Sequence, residues 1–270
     1  MSDYGLHGKT VIVTGVNNPK GIGAATALAF AKEGAKVAIA YKKMSFAYDD
    51  QKAVGDGLDS YYKALAGDCS IVEAEIKKIT SDYLITEGDI SDEAFVSSFF
   101  DTIEARFGKA NILINNAATY SEKDTIFTIS SEDINNVYDT NIKGTLLMTR
   151  EFVKRFSPPS FGRIINLSTD AAQTFADQIT YGASKAAIEA LTRAIAIEVG
   201  HLGITVNAVA PGPTQTGWID EELEKSVLPQ IPLGRIGSPQ DIANTILFLS
   251  SDKAGWITGQ VIKVSGGHAL

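Results

Sequence analysis

Three observations predict an α/β chain built on a doubly wound, seven-stranded, mostly parallel sheet with helices on both faces. Short β-branched runs alternate with longer segments of helical period. The first strand run is nearly continuous in apolar residues, as a strand covered on both faces must be. A Gly-rich turn joins that first strand to the first helix. Composition is consistent with this class: 270 residues, 44% hydrophobic and 21% charged, can bury a core without a disulfide or a metal.

The elements follow in order. Thr10–Thr14 reads as the first strand, and Ile22 to Glu33 as an Ala-rich helix stopped by Gly34. Val37–Tyr41 is the second strand, Ile71 to Ile79 has helical spacing, and Tyr83–Thr86 is the third strand. Phe95–Phe107 is a helix closed by Gly108, and Ile112–Ile114 is the fourth strand. One long helix is expected from Ser131 to Phe156, with Ser130 or Ser131 as N-cap and Pro158-Pro159 as terminator. Arg163–Leu167, Thr205–Val209 and Val261–Val264 complete the strands, with helices at Tyr181–Val199 and from Ser238-Pro239 to Leu249. No repeat or linker interrupts the series, so a single domain over 1–270 is expected. One stretch breaks the alternation: Met44 to Cys69 carries five Asp and three Tyr and reads as an irregular insertion.

Several function classes are excluded at this level. Cys69 is the lone cysteine and His7, His201 and His268 are far apart, so neither a disulfide nor a metal site is expected. No run of ~18 apolar residues spans a membrane, and no basic-then-apolar leader opens the chain. A net charge of −8 argues against nucleic acid as partner. A cytoplasmic protein with a small-molecule substrate is the expectation.

Two constellations carry chemistry. In the turn after the first strand, Gly15, Gly21 and Gly23 let the backbone approach a pyrophosphate seated on the free N–H groups of the next helix. Tyr181 and Lys185 lie four apart, which on a helix puts both on one face and suits proton transfer by the phenol. Tyr48 and Lys52 share that spacing, but only Tyr181 has a polar partner thirteen residues earlier, Ser168 at the end of the fifth strand. Ligands bind at such carboxyl ends in open α/β sheets.

The order of these pieces carries a resemblance. Thr14-Gly15 with Gly21-Ile22-Gly23, Asp89, Asn115-Asn116-Ala117-Ala118, Asn141, Ser168, Tyr181 with Lys185, Pro211-Gly212 with Thr214 and Thr216, and an ending at Gly259 to Gly267 run in the order of one family. Over nearly its whole length the chain resembles the short-chain dehydrogenase/reductase family, a single-domain Rossmann fold, and within it 3-oxoacyl thioester (acyl-carrier-protein) reductase-like members with a lengthened Gly-rich loop. The resemblance implies that Tyr181 exchanges a proton with a substrate carbonyl or alcohol, and that Lys185 binds the nicotinamide ribose and lowers the Tyr181 pKa. It implies that Ser168 holds the reacting oxygen and that Asn141 holds a water linking Lys185 to solvent. For the cofactor it implies Thr14, Gly15, Asn17, Lys20, Gly21, Ile22 and Gly23 along the phosphates, and Asp89 and Ile90 beside the adenine. Asn115 and Ala117 would line the path to the ribose, and Pro211, Gly212, Thr214 and Thr216 the nicotinamide end. Homo-oligomers, dimers or tetramers joined through the helices 131–156 and 181–199, are also implied.

NADP(H) is favoured over NAD(H) on charge. The second strand ends in Tyr41-Lys42-Lys43 with no acid for the ribose hydroxyls, and Lys20 in the turn is a third cation for a 2′-phosphate. Two departures from the family pattern stand out. Five residues separate Gly15 from Gly21, which is similar to the enoyl thioester reductases. Those enzymes, however, place Tyr and Lys seven apart, and residue 178 here is Gln. The second departure is the 44–69 insertion, expected over the cofactor or against a neighbouring subunit, or else a disordered acidic flap. Residues 213–232, with Trp218, Ile219, Leu223, Val227, Leu228 and Ile231, are expected as an apolar substrate lid. An enoyl reductase and a non-catalytic NADP-binding sensor or scaffold are the alternatives.

Overall fold

In the computed structural model, which describes residues 4–158, 161–172 and 174–269, seven strands form one sheet in the order β3-β2-β1-β4-β5-β6-β7. The strands are β1 (Thr10–Thr14), β2 (Lys36–Tyr41), β3 (Tyr83–Glu87), β4 (Ile112–Asn115), β5 (Gly162–Leu167), β6 (Ile204–Pro211) and β7 (Val261–Val264). Each pairing is parallel, with Val11 opposite Val37 on one side and Ile112 on the other.

Alternation along each strand sorts side chains into two cores. Val11, Val13, Val37 and Ile39 pack with Phe30 of α1 (Ile22–Lys32), Ile76 of α3 (Ser70–Lys77) and Ile246 of α9 (Pro239–Leu249). On the other face Ile12, Ala38, Leu113 and Ile164 meet Phe99, Phe100 and Ile103 of α4 (Glu93–Phe107), and Met148 and Phe152 of α6 (Thr145–Arg155). The remaining helices are α2 (Leu58–Ala66), α5 (Ser131–Tyr138), α7 (Ile179–Val199) and α8 (Glu221–Val227). Strand order reverses between β1 and β4, so the loops after them diverge and open a crevice at the carboxyl ends.

Two expectations are corrected. The helix expected over 131–156 is not uniform: a π-helical segment, Asp139–Gly144, separates α5 from α6 and carries Asn141. Its buried positions are Asn141 and Gly144 and it holds one apolar residue, Ile142, so it offers too few apolar positions for periodicity to show a change of helix type. Within the stretch 44–69, residues 58–66 form α2, whose Leu58, Tyr61, Tyr62 and Leu65 share one face at i, i+3, i+4, i+7 spacing. Ser130 caps α5 and Ser238 caps α9, each in a capping box. Of the expected terminator after α6, Pro159 lies outside the described residues.

Candidate active site

A cleft of about 990 Å³ runs over the carboxyl ends of the strands, from the Gly-rich turn to the segment after β6. At one end, Gly15 adopts φ +73, and a Cβ there would stand 2.7 Å from Ala117 Cα. A Cβ on Gly23 would stand 2.4 Å from Gly15 O, so the turn can close this tightly only with glycine at both positions. Thr14 Oγ1 accepts from the backbone N–H groups of Asn116 and Ala117, and the Asn116 amide donates to Thr14 O and Gly15 O, tying β1 to β4. The N-cap of α1, Gly21, offers no side-chain oxygen to the first-turn N–H groups. Those donors are open to an anion.

At the other end stand Ser168, after β5, and Tyr181 and Lys185 on α7; all three line the cleft. The Lys185 ammonium lies 5.5 Å from the Tyr181 ring centre and donates to Leu167 O at 2.7 Å. Burial pulls Lys185 down to about 8 and holds the Tyr181 phenol well above its ordinary value, with Tyr61 adding to the rise. The largest cause of that rise is the cost of desolvating the phenolate in this part of the cleft.

Two further expectations change in detail. The Asn141 side chain accepts from Thr119 N and donates to Thr119 O and Ser184 Oγ. Both of its donors are taken, so it would hold a water only through an acceptor, the amide oxygen or the main-chain carbonyl. Ser168 Oγ donates to the buried Glu189 carboxylate at 2.9 Å and not towards Tyr181. Glu189 lies four residues after Lys185 on the same face of α7, a spacing visible in the sequence but not used there.

Of the expected cofactor residues, Gly15, Asn17, Gly21, Ile22, Gly23, Tyr41, Lys42, Asp89, Ile90, Ala117, Pro211, Gly212, Thr214 and Thr216 line the cleft. Asn115 does not. It is buried beneath, with its amide donating to Thr149 Oγ1 and Asn166 Oδ1, and the next residue, Asn116, faces the cleft instead. Strand alternation explains this, because adjacent residues point to opposite sides. Each candidate phosphate lysine has an acidic partner: Lys42 with Asp89 at 2.6 Å, Lys43 with Glu87 at 3.3 Å, and Lys20 with Asp56 at 2.5 Å. Lys20 and Lys43 do not line the cleft.

One positioning group was missed. The Asp124 carboxylate, fully buried, accepts from Thr180 N at 2.9 Å and Tyr181 N at 3.1 Å, and so caps the helix that carries Tyr181. It comes from a loop 56 residues away, so no local capping pattern announces it.

The insertion reaches this cleft as well. Asn17 donates to Leu65 O at 2.7 Å, and Gly57 N donates to Gly217 O at 2.8 Å. Leu58, Tyr61, Tyr62 and Leu65 all line the cleft, with Trp218, Leu223 and Val227 from the expected lid.

The chain is similar to known proteins over nearly its whole length. The family profile described as "Enoyl-(Acyl carrier protein) reductase" matches residues 15–269. The 3-oxoacyl-[acyl-carrier-protein] reductase FabG of Staphylococcus aureus is 35% identical over 263 residues, covering 96% of this chain and 97% of its own. BbsD, a subunit of a hydroxy(phenyl)methylsuccinyl-CoA dehydrogenase of Thauera aromatica, is 34% identical over 278 residues, covering 98% of each chain. Among solved structures, a short chain dehydrogenase from Bacillus anthracis superposes with a TM-score of 0.81 at 29% identity, covering 98% of each chain. The chain belongs to the short-chain dehydrogenase/reductase family, and it is an oxidoreductase of that family.

Proposed function

We propose that this protein is an NADP(H)-dependent reductase of a carbonyl compound, equivalently a dehydrogenase of the matching secondary alcohol, with Tyr181 as general acid/base. The observation that carries the reading is the convergence of Tyr181, Lys185 and Ser168 on one cleft that begins at a glycine turn too tight for any Cβ. That turn and the uncapped start of α1 fit a pyrophosphate, so a dinucleotide fits the residues present. The dinucleotide, when bound, supplies the hydride.

The chain's own residues supply orientation and the proton. Tyr181 is protonated at neutral pH and acts as acid towards a carbonyl oxygen in reduction, and its phenolate as base towards an alcohol in the reverse direction. Lys185, charged below about 8, would hold the ribose and stabilise the phenolate left after proton transfer. To hold the substrate oxygen, Ser168 would turn its single proton from Glu189 to the substrate. Lys42, which lines the cleft at the end of β2 and is paired with Asp89, would hold a 2′-phosphate, and Lys20 and Lys43, outside the cleft and paired with Asp56 and Glu87, would add positive charge to that side. Residues 213–232 close over the substrate as a lid. A homo-oligomer through α5–α6 and α7 is in keeping with the exposed Leu146 and Ile197 on those helices.

The name of the matching family profile supports one alternative, enoyl reduction. Against it stands the four-residue Tyr181–Lys185 spacing, with Gln178 where the enoyl pattern needs Tyr. The test is oxidation of NADPH and of NADH against a panel of ketones, 3-oxoacyl thioesters and enoyl thioesters, with Tyr181→Phe as control. Turnover of carbonyls with NADPH, lost in the variant, is expected. Turnover of enoyl substrates alone, cofactor binding without any turnover, or equal binding of NADH would each overturn part of the reading.

A further inference from the structure

Nothing in the proposed chemistry requires the insertion. Residues 44–69 nevertheless form a strap anchored at both rims of the cleft. On the cofactor rim, Asn17 holds Leu65 O and Gly67 O, and Lys20 pairs with Asp56. On the lid rim, Gly57 N is bonded to Gly217 O. Between these anchors α2 turns its Leu58–Tyr61–Tyr62–Leu65 face into the cleft.

The face is aromatic and internally braced. Tyr62 stacks on Phe46 at 4.7 Å between ring centres, Phe46 stacks on Tyr120 at 5.6 Å, and the Tyr120 hydroxyl donates to the Tyr62 hydroxyl. Tyr61 has no such brace beyond a tilted contact with Tyr62, and it is close enough to raise the Tyr181 phenol. Burial pushes Tyr61 itself up to about 12, so it is a neutral ring at any working pH. Phe175, which lines the same cleft, meets Tyr181 edge-on at 5.5 Å. A substrate carbonyl presented to Tyr181 therefore has two aromatic rings, Tyr61 and Phe175, lining the space around its substituent. Around this compartment, among the described residues, the cleft is lined by the acids Glu122, Asp170, Asp177 and Asp220 against one cation, Lys185, whose ammonium is turned to Leu167 O, and His268 is already paired with Asp170 at 2.7 Å.

We infer that α2 is a specificity element, with Tyr61 as the residue that selects an uncharged aryl carbonyl compound as substrate. A flat ring gains an offset or edge-on partner from Tyr61 and Phe175. An anionic substituent, such as a carboxylate or phosphate, meets the acidic rim and is disfavoured. This inference rests on the carbonyl-reductase reading but is testable without turnover.

The probes are an aryl methyl ketone, its cyclohexyl counterpart, and the same aryl ketone bearing a para-carboxylate. Binding is measured by calorimetry to the Tyr181→Phe protein saturated with NADPH, and kcat and KM are measured with the wild type. The aryl ketone is expected to bind at least about threefold tighter than the cyclohexyl ketone, given a ring–ring preference of roughly two- to tenfold. It is also expected to bind at least tenfold tighter than the carboxylate. In Tyr61→Ala the aryl advantage should vanish, through KM more than kcat, while Tyr61→Phe keeps it. NADPH titration of each variant checks that the fold and cofactor site survive. Equal binding of aryl and cyclohexyl ketones, tighter binding of the carboxylate, or an undiminished aryl preference in Tyr61→Ala would overturn the inference. Selective aryl binding without turnover in the wild type would support it and overturn the carbonyl-reductase reading instead.

Discussion

Lys185 offers the sharpest physical test, because its burial acts on stability and on chemistry with opposite sign. Its ammonium is buried beside Leu167 O, and desolvation holds it at about 8 against 10.5 in the unfolded chain. A lysine with depressed pKa costs stability below about pH 8, where both states are charged and only the folded one is desolvated. From pH 8 upward the unfolded state binds more protons than the folded state, so stability rises with pH. At about 1.4 kcal/mol per unit, moving from pH 7 to pH 9.5 relieves the wild type of about 2 kcal/mol. Lys185→Met has no such group. Urea unfolding of both proteins at both pH values should show the stability of the variant relative to wild type falling by about 2 kcal/mol at the higher pH. Buried Tyr181, Tyr61 and Cys69 titrate in both proteins and cancel in the difference. The same charge loss should lower wild-type kcat/KM as pH rises through about 8. A stability difference that does not change with pH would refute the account of this site.

Three other outcomes follow from named contacts. Asp124→Ala leaves two buried N–H groups of α7 without an acceptor. It should cost about 1–2 kcal/mol in urea unfolding and lower kcat by misplacing Tyr181, with Asp124→Asn rescuing most of both. Gly15→Ala forces a Cβ against Ala117 at φ +73 and should cost about 2–4 kcal/mol, with a matching loss of dinucleotide affinity in fluorescence titration. Lys42→Ala should raise the Kd for NADPH about tenfold and leave NADH unchanged, with the difference shrinking at high salt. Equal effects on both cofactors would remove the 2′-phosphate role.

The parts of the site readable in the sequence were those whose partners are near in the chain. Gly15 and Gly23 are required by one turn, and Tyr181 and Lys185 share one helix face, so spacing alone brings them together. The inner strands β1 and β4 were legible because burial on both faces writes itself as nearly unbroken apolar runs, and the half-exposed β3 and β7 by their short β-branched runs. The groups that tune the site come from distant segments. Asp124 caps α7 across 56 residues, and no capping pattern adjoins its partners. The π-helical bulge at Asn141 holds one apolar residue, Ile142, too few for periodicity to show it. Helix α2 was in principle readable, since Leu58, Tyr61, Tyr62 and Leu65 hold a four-position helical face. Flanking glycines and five aspartates across the stretch obscured it. Direction of a side chain was least legible of all: Asn115 and Asn116 are adjacent, and only the strand's pleat decides which faces the cleft.

The central claim, that this cleft moves a hydride to a carbonyl while Tyr181 delivers the proton, is tested most directly by isotope transfer. NADPH carrying deuterium at both hydrogens of the nicotinamide C4 is mixed with an aryl ketone and wild-type protein, and the product alcohol is analysed by mass spectrometry. The account predicts deuterium on the carbinol carbon, and in Tyr181→Phe a rate at least about a hundredfold lower with NADPH still bound. An alcohol without deuterium, or an equal rate from Tyr181→Phe, would contradict it.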